Sequence, residues 1–211
     1  MSIQGSPEWA LERCGNATAS EFAAILAKGE KKVRTGYLRR LVAERLTGKP
    51  VETYTNWQMQ RGQEQEPFAR ASYEAVTGNL VEQVGFLKHP MMACGASPDG
   101  LIGIEGGCEI KSVIPTVQLN TILAGKYPQE HTPQIQGNLW IAGVIDKVEG
   151  RAPRKWWDFC SYSADMPDHL RTYIFRIERD EEYIKMLNQE VILFLVEVDQ
   201  LVAKLNERKV A

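Results

Sequence analysis

The sequence predicts a single α/β domain over residues 1–211, in which helices flank a central mixed β-sheet. Apolar residues recur at helical spacing early in the chain and again at its end. Short apolar runs divided by Gly, Pro and Asp occupy the middle, and one further helical pattern lies among them. No internal repeat, low-complexity stretch or linker divides the chain, so we expect one domain.

Three helices are predicted before residue 80. The first begins at Thr18, which forms a capping-box pattern with Glu21 and precedes apolar residues at helical spacing. The second covers the apolar positions of 37–46 and is stopped by the glycine and proline that follow. The third runs over about 56–76, with an interruption near Pro67.

The middle of the chain changes to short strands joined by tight turns. A helix over 132–143 is predicted among them, because Thr132 and Pro133 have the pattern of an N-cap and a first helical position. A final helix begins at Asp180 and keeps its apolar period to the end of the chain. The predicted strands are 80–87, 91–94, 101–104, 108–113, 157–162 and 171–178.

The composition is that of an ordinary globular protein, with 44% hydrophobic and 25% charged residues, which excludes a disordered or fibrous chain. Every apolar run is far shorter than the roughly 20 residues that a membrane span needs. The first residues lack the apolar stretch of a secretory signal. The four cysteines have neither CxxC nor zinc-site spacing, so we expect reduced thiols and a cytoplasmic protein.

A net charge of −2 does not by itself indicate a nucleic-acid binder, because neutralising phosphates requires a local surplus of Lys and Arg. The segment from Lys28 to Lys49 has such a surplus, with eight basic residues against Glu30 and Glu44. It is either a phosphate-facing surface or the solvated face of a helix. The sequence leaves both interpretations open.

The residues most informative about chemistry are Asp99, Glu109 and Lys111. Glu109 and Lys111 are two positions apart on a predicted strand, so both side chains point to one face while Ile110 points to the other. If this strand pairs with the preceding one as a hairpin, Asp99 lies beside them. A Pro-Asp-Gly turn alone is usually structural, and the competing interpretation is a hairpin with a surface Glu-Lys pair.

Two carboxylates that converge beside a lysine suit a hard cation. Mg²⁺ takes oxygen ligands and keeps several waters and a substrate phosphate, and Mn²⁺ can substitute for it. Such an ion would polarise a scissile phosphate and lower the pKa of a water, while Lys111 positions that water or balances charge. The pattern therefore predicts hydrolysis of a phosphodiester.

The spacing of Asp99, Glu109 and Lys111 is that of the PD-(D/E)xK nuclease superfamily, and further motifs narrow the match. From about Gly5 to the final helix, the sequence resembles the family of phage lambda exonuclease and the YqaJ-type viral recombinases. The resemblance implies a restriction-endonuclease-like core. The matching motifs are Arg13, Thr18-Ala19-Ser20, Gly62 to Pro67, Gly95 to Leu101, Glu109-Ile110-Lys111 and Pro133 to Gln136.

The resemblance implies a set of metal ligands. Asp99 and Glu109 would bind the metal through their carboxylates, and Ile110 through its backbone carbonyl. Glu66 would complete the site, or Glu64 in an alternative register. A glutamate on a helix is usually solvated, so the assignment of Glu66 depends on the resemblance.

Further catalytic roles are also implied by the resemblance. Lys111 would assist the attacking water. Gln134 would contact that water or the scissile phosphate, and Gln136 is a weaker candidate for the same role. A lone glutamine on a helix is usually a surface residue, so these two assignments come from the family.

Arg13, Ser20 and Ser97 match the pocket that holds a terminal 5′-phosphate in this family. A guanidinium fork and two hydroxyls suit the oxygens of a phosphate. Without the family, they would be interpreted as a surface arginine and two capping or turn serines. The family's second basic pocket residue has no clear counterpart, because Glu30 stands near its position. The candidates to replace it are Lys28, Lys31 and Arg34.

Two apolar residues of the third helix have alternative interpretations. Trp57 and Met59 would act as a wedge at the opening of a DNA duplex, or they pack in the core, which is the commoner role. The three histidines, His89, His131 and His169, have no mutual spacing that suggests a ligand set or a catalytic base.

The resemblance implies an Mg²⁺-dependent 5′-to-3′ exonuclease that degrades one strand of linear double-stranded DNA to mononucleotides. The remaining 3′ single strand would serve phage-type recombination by single-strand annealing. A homotrimeric ring around DNA and a single-strand annealing partner protein are implied as well. The alternatives are another PD-(D/E)xK nuclease, such as an endonuclease that cuts closed circles, and a non-catalytic DNA-binding module. A pure binder gains little from two carboxylates that face a polyanion, which argues against the module.

Overall fold

The computed structural model describes residues 2–28, 31–51 and 57–208, apart from the side chains of Lys31, Gln58 and Met59. The first half contains α1 (Pro7–Arg13), β1 (Ala17–Thr18), α2 (Phe22–Leu26), α3 (Lys31–Thr47), α4 (Trp57–Thr77), β2 (Leu87–Lys88), β3 (Cys94–Ala96) and β4 (Gly100–Ile102). The second half contains β5 (Gly106–Ser112), α5 (Pro115–Ala124), α6 (Thr132–Val148), β6 (Trp156–Tyr162), α7 (Asp168–Arg171), β7 (Thr172–Glu178) and α8 (Glu181–Asn206).

The strands form two sheets. The larger has the order β4-β5-β6-β7, in which β5 and β6 are parallel and the two outer pairs are antiparallel. The smaller sheet, β1-β3-β2, joins the N-terminal part of the chain to the segment that leads into β4. The predicted fold class, a mixed sheet flanked by helices, is confirmed.

Different helices cover the two faces of β5. Ile110 lies in an apolar cluster with Ala69 and Tyr73, both from α4. The other face belongs to the main core, where Phe159 of β6 packs among residues of α2, α3, α6 and α8. Glu109 is the partner of Phe159 in the sheet, so its side chain turns to the α6 face. The alternation predicted for this strand is therefore present, with α4 and α6 on its two sides.

Several predicted boundaries are wrong. Within 80–87 only Leu87 belongs to a strand, β2, because the earlier part runs beside a short β4 and makes a single bridge, between Glu82 and Leu101. Pro67 does not interrupt α4. Buried side chains that follow the proline, Ala69 and Tyr73, pack against the sheet and hold the helix in place. The sixth helix passes Gly143, where a Cβ would approach Arg179 to 2.7 Å, so this glycine permits close packing rather than ending the helix.

The N-terminal region also differs from the prediction. Thr18 does not cap a helix through its side chain, and only the 3₁₀ turn Ala19–Glu21 and the short α2 follow it. The prediction missed α1, although Ser6 caps it by accepting a hydrogen bond from Trp9 N at 3.2 Å. It also missed α5, which has a proline in its first turn and a left-handed Gly125 at its end.

Four of the eight basic residues of 28–49 pair with acidic side chains in the described part of the chain. Most of the partners lie on α8, which packs against α3. The pairs are Lys28 with Glu190, Arg34 with Glu197, Arg45 with Asp199 and Arg40 with Glu21. Much of the local positive charge is used in helix packing, which disfavours the interpretation as a phosphate-facing surface.

The predicted C-terminal helix is confirmed as α8. Its N-cap Asp180 accepts a hydrogen bond from Tyr183 N at 2.9 Å, as expected for an acidic residue at a helix start. Its buried face includes Leu187, Val191 and Phe194. In the described part of the chain, no helix has the length and apolar character needed to cross a bilayer.

Candidate active site

Asp99 and β5 meet where the pairing of β4 with β5 ends. The last pair of this hairpin is Gly100 with Cys108, and beyond it Asp99 Oδ2 accepts a hydrogen bond from Ile110 N at 2.6 Å. The N–H and C=O of one strand residue point to the same side of the strand, so the Ile110 carbonyl is also directed to this edge. The hairpin expected from the sequence therefore places Asp99 beside β5.

Glu109 is buried beneath α6, with 1% of its surface exposed. Three side chains donate to it. Lys111 Nζ lies 2.7 Å and Gln134 Nε2 lies 2.6 Å from Oε1, while Asn138 Nδ2 lies 3.1 Å from Oε2. The Gln134 carbonyl oxygen in turn lies 3.4 Å from Lys111 Nζ. A buried carboxylate needs such partners, since burying a charge without them is costly.

The charges of this cluster suit a cation. Desolvation, and then the Glu109 carboxylate, raise the pKa of Asp99 well above its usual value, although Lys111 lowers it. Desolvation lowers the pKa of Lys111, but the carboxylates of Glu109 and Asp99 outweigh it and raise that pKa, so the ammonium group stays charged. A divalent cation between the two carboxylates would remove the cost of ionising Asp99. The donor set, two carboxylates and the Ile110 carbonyl, consists of the oxygen ligands that Mg²⁺ prefers.

Glu66 lies on the opposite side of the sheet from α6. It belongs to α4, which packs on the Ile110 face of the sheet, and its carboxylate pairs with Arg70 at 3.1 Å. Its charge contributes to the raised pKa of Asp99, so it lies near the edge of the site. Within the described residues, however, no three His, Cys, Asp or Glu side chains form a ready-made metal-binding group. Glu64, the alternative, is exposed.

Arg13 lies in a pocket of hydroxyl groups. Its guanidinium lies 3.3 Å from Ser97 Oγ, 3.4 Å from Ser20 Oγ and 3.5 Å from Thr18 Oγ1. Trp9 donates its indole N–H to Ser97 Oγ at 3.0 Å, and its ring lies 4.1 Å from Arg13 Cζ. Burial lowers the pKa of Arg13, and no acidic side chain of the described residues forms an ion pair with it. A half-buried cation without a carboxylate partner favours an external anion.

The small sheet connects this pocket to Asp99. Parallel pairing of Thr18 with Gly95 brings the segment after β1 beside Ser97, which precedes Asp99 by two residues. The pairing requires a glycine at 95, because a Cβ there would lie 2.3 Å from the Phe86 ring. The three pocket residues predicted from the sequence thus come together, close in the chain to the carboxylates.

Other candidates from the sequence lie elsewhere. Gln136 donates to the Glu178 carbonyl at 2.9 Å and accepts from Asp180 N at 3.0 Å, so it joins β7 to the start of α8 rather than contacting the site. Lys28 and Arg34 have acidic partners on α8. Glu30 and the side chain of Lys31 lie outside the described residues, so the second basic pocket residue stays a prediction.

The core interpretation of Trp57 is wrong, because 65% of its surface is exposed. The Arg61 guanidinium lies 5.8 Å from its ring. The exposed ring leaves the alternative, a contact with DNA, open for Trp57. The side chain of Met59 lies outside the described part of the chain, and so does position 56, where the helix was expected to begin.

The comparisons with known proteins agree with this geometry. Residues 8–145 match the model of the YqaJ-like viral recombinase domain. The chain belongs to this family. No curated protein sequence gives a significant match.

Solved structures match nearly the whole chain, beyond residues 8–145 of the family match. The chain is similar to an alkaline exonuclease from Laribacter hongkongensis, with 37% identity and a TM-score of 0.85 over 95% of this chain and 96% of the other. A structure of that enzyme in complex with dAMP has the same identity and coverage and a TM-score of 0.83. A phage-related exonuclease from Haemophilus somnus 129PT shares the fold, with 15% identity and a TM-score of 0.65 over 90% of this chain and 96% of the other. Family membership and the first of these likenesses support a role as a nuclease.

The family motifs did not single out every residue of the site. Asn138 follows Gln134 by four positions, so the two share one face of α6, and this spacing is the signal that would have found it. His131 was expected to have no role, yet its ring stacks on Phe159 at 5.2 Å. Burial, and then the charge of Lys111, lower the pKa of His131 to about 4, so it is neutral near the site.

Proposed function

We propose that this member of the YqaJ-like viral recombinase family is an Mg²⁺-dependent exonuclease. It degrades one strand of linear double-stranded DNA from the 5′ end to mononucleotides and leaves a 3′ single-stranded overhang. The observation that carries the proposal is the proximity in the chain of two charge clusters. The Arg13 pocket includes Ser97, and Asp99 follows two residues later beside Glu109 and Lys111. An anion pocket next to paired carboxylates suits an enzyme that holds a terminal phosphate and cuts nearby.

The metal would be held by Asp99, Glu109 and the Ile110 carbonyl, and Mn²⁺ can replace Mg²⁺ there. When bound, the ion polarises the scissile phosphate and makes a water more acidic. Glu66 would join these ligands through Oε2, since its ion pair with Arg70 engages Oε1. The placement of Glu66 at the edge of the cluster supports this supplementary role.

The chain's own side chains orient the reaction. Lys111 remains protonated between the carboxylates, so it can hold the attacking water by hydrogen bonding and stabilise negative charge on the phosphate. The Gln134 amide contacts both Glu109 and Lys111, so it helps to keep both side chains in place. These positions support the catalytic roles that the family resemblance implies.

Direction of digestion follows from the pocket. If Arg13, Ser20 and Ser97 bind a terminal 5′-phosphate, the strand is anchored by that end and the adjacent phosphodiester lies toward Asp99. Arginine suits a phosphate because its planar fork donates two parallel hydrogen bonds. The anchored end explains exonucleolytic cutting, since a closed circle offers no terminal phosphate.

Assembly and partners complete the proposal. We propose a homotrimeric ring that encircles DNA, and a single-strand annealing protein that takes up the 3′ strand. The four cysteines are unpaired, which fits a reducing compartment, here the cytoplasm of a bacterial host. Family membership supports this assignment to phage-type recombination.

The test compares linear duplexes, labelled at either strand end, with covalently closed circles, each in Mg²⁺ or EDTA. We expect mononucleotides from the 5′ ends of linear DNA in Mg²⁺ only, and intact circles. Asp99→Asn keeps an oxygen acceptor for Ile110 N but removes the charge, so it should abolish hydrolysis. Glu105→Gln is the matched control, because Glu105 lies at the other end of the same hairpin and pairs with Lys155. Cleaved circles would indicate an endonuclease, and DNA binding without cleavage a non-catalytic module.

A further inference from the structure

Two amide side chains of α6 hold opposite oxygens of the Glu109 carboxylate. Gln134 donates to Oε1 at 2.6 Å, and Asn138 donates to Oε2 at 3.1 Å. The two residues are four positions apart, so they project from one face of the helix. Gln134 belongs to a family motif in the sequence, whereas Asn138 belongs to none of the motifs identified above.

Asn138 is retained at a cost to the fold. It is 1% exposed, and its Oδ1 has no hydrogen-bond donor within the part of the chain that is described. Turning the amide over would not help, because it would bring that oxygen against the carboxylate of Glu109, which only accepts. An unpaired buried acceptor destabilises a protein, and leucine would fill a similar volume without it. The polar side chain therefore serves something other than packing.

The hydrogen bonds of Glu109 indicate the role of the Asn138 side chain. Oε1 already accepts from both Lys111 and Gln134, which occupies its two lone pairs. Among the described residues, Oε2 accepts from Asn138 alone. One lone pair of Oε2 is left, and the hydrogen bond from Asn138 fixes the direction in which it points.

We infer that Asn138 is a positioning residue, which orients Oε2 of Glu109 toward the divalent cation. The inference rests on the proposed function, because it assigns that oxygen to the metal. The unpaired Oδ1 of Asn138 provides a further acceptor beside the same carboxylate. Residues that orient a ligand in this way change metal affinity by about 10- to 100-fold when they are removed.

The test measures Mn²⁺ binding by calorimetry, without DNA, and unfolding in urea, without metal. Asn138→Ala should weaken Mn²⁺ binding by about 10- to 100-fold and raise the Mg²⁺ concentration for half-maximal digestion by a similar factor. Asn138→Leu keeps the volume and removes the unpaired acceptor, so it should bind Mn²⁺ as weakly while it unfolds at no lower urea concentration than the wild type. This second variant provides a folded protein if the alanine variant is unstable.

Gln136→Ala is the matched control. Gln136 is also a buried amide of α6, but its contacts are with Glu178 and Asp180. Its replacement should lower stability and leave Mn²⁺ affinity unchanged. If the Asn138 variants bind Mn²⁺ as tightly as the wild type does, the inference is wrong. If the wild type itself binds no Mn²⁺, the proposed metal-dependent function fails first.

Discussion

Arg13→Ala is the most direct probe of the proposed terminal-phosphate pocket. The substitution removes the guanidinium that lies among the hydroxyls of Thr18, Ser20 and Ser97. It also removes the contact with the Trp9 ring. The hydroxyls can still bond to one another, since Thr18 Oγ1 and Ser20 Oγ are 3.3 Å apart. The pocket should therefore lose its charge and keep its shape.

The size of the effect follows from the partners of Arg13. A hydrogen bond to a charged group contributes about 1.5 to 3 kcal/mol, which corresponds to roughly 10- to 150-fold in rate or affinity. The present contacts of the guanidinium are long, at 3.3 to 3.5 Å, so little is given up when it turns to a phosphate. We expect a loss in the upper part of this range on 5′-phosphorylated ends and almost none on 5′-hydroxyl ends.

The assay follows single-turnover digestion of duplexes with a 5′-phosphate or a 5′-hydroxyl, labelled separately at each strand end. Arg176→Ala is the control, because Arg176 also lies over an aromatic ring, that of Trp156, but pairs with Asp158. It should keep the full preference for phosphorylated ends. An unchanged phosphate preference in Arg13→Ala, or early release of the 3′ label by the wild type, would refute the placement of the pocket.

Three further predictions concern catalysis, pH and assembly. Lys111→Ala should nearly abolish turnover and leave Mg²⁺ binding largely intact; a large loss of Mg²⁺ affinity by calorimetry, with turnover preserved at saturating metal, would contradict this role. The pKa of His131 is lowered from 6.5 to about 4 in the folded protein. As the pH falls, this histidine is therefore protonated in the unfolded chain before it is protonated in the folded one. The free energy of unfolding should drop by up to about 3 kcal/mol between pH 6.5 and 4, and urea titrations of His131→Gln should lack this part of the decrease. Light scattering should give about three times the 23.8 kDa chain mass; a stable monomer that digests DNA processively would exclude the ring.

The sequence determined the fold class and much of the arrangement of the candidate site. Local patterns sufficed where a side chain's direction follows from strand periodicity, as for Glu109 and Lys111 on one face of β5 with Ile110 on the other. The long amphipathic α8 was predictable for the same reason, since its apolar face recurs at helical spacing over many residues. Short elements were not. The two-residue strand β1, for example, depends on pairing with β3, which is distant in sequence.

Only the tertiary structure decided which partner each charged side chain contacts. From the sequence, the arginines of α3 could have faced a phosphate. In the structure, Arg34 and Arg45 pair with carboxylates of α8. Arg13 looked like any surface arginine, but the pairing of β1 with β3 places it among hydroxyls, with no acidic partner in the part of the chain that the structure describes. The spacing of Asn138 from Gln134 places both on one face of α6, but only the folded structure shows that the Asn138 amide contacts Glu109. Sequence spacing determines which residues of one element share a face, but the partner of a charge is set by contacts between elements, and burial then makes each such contact energetically important.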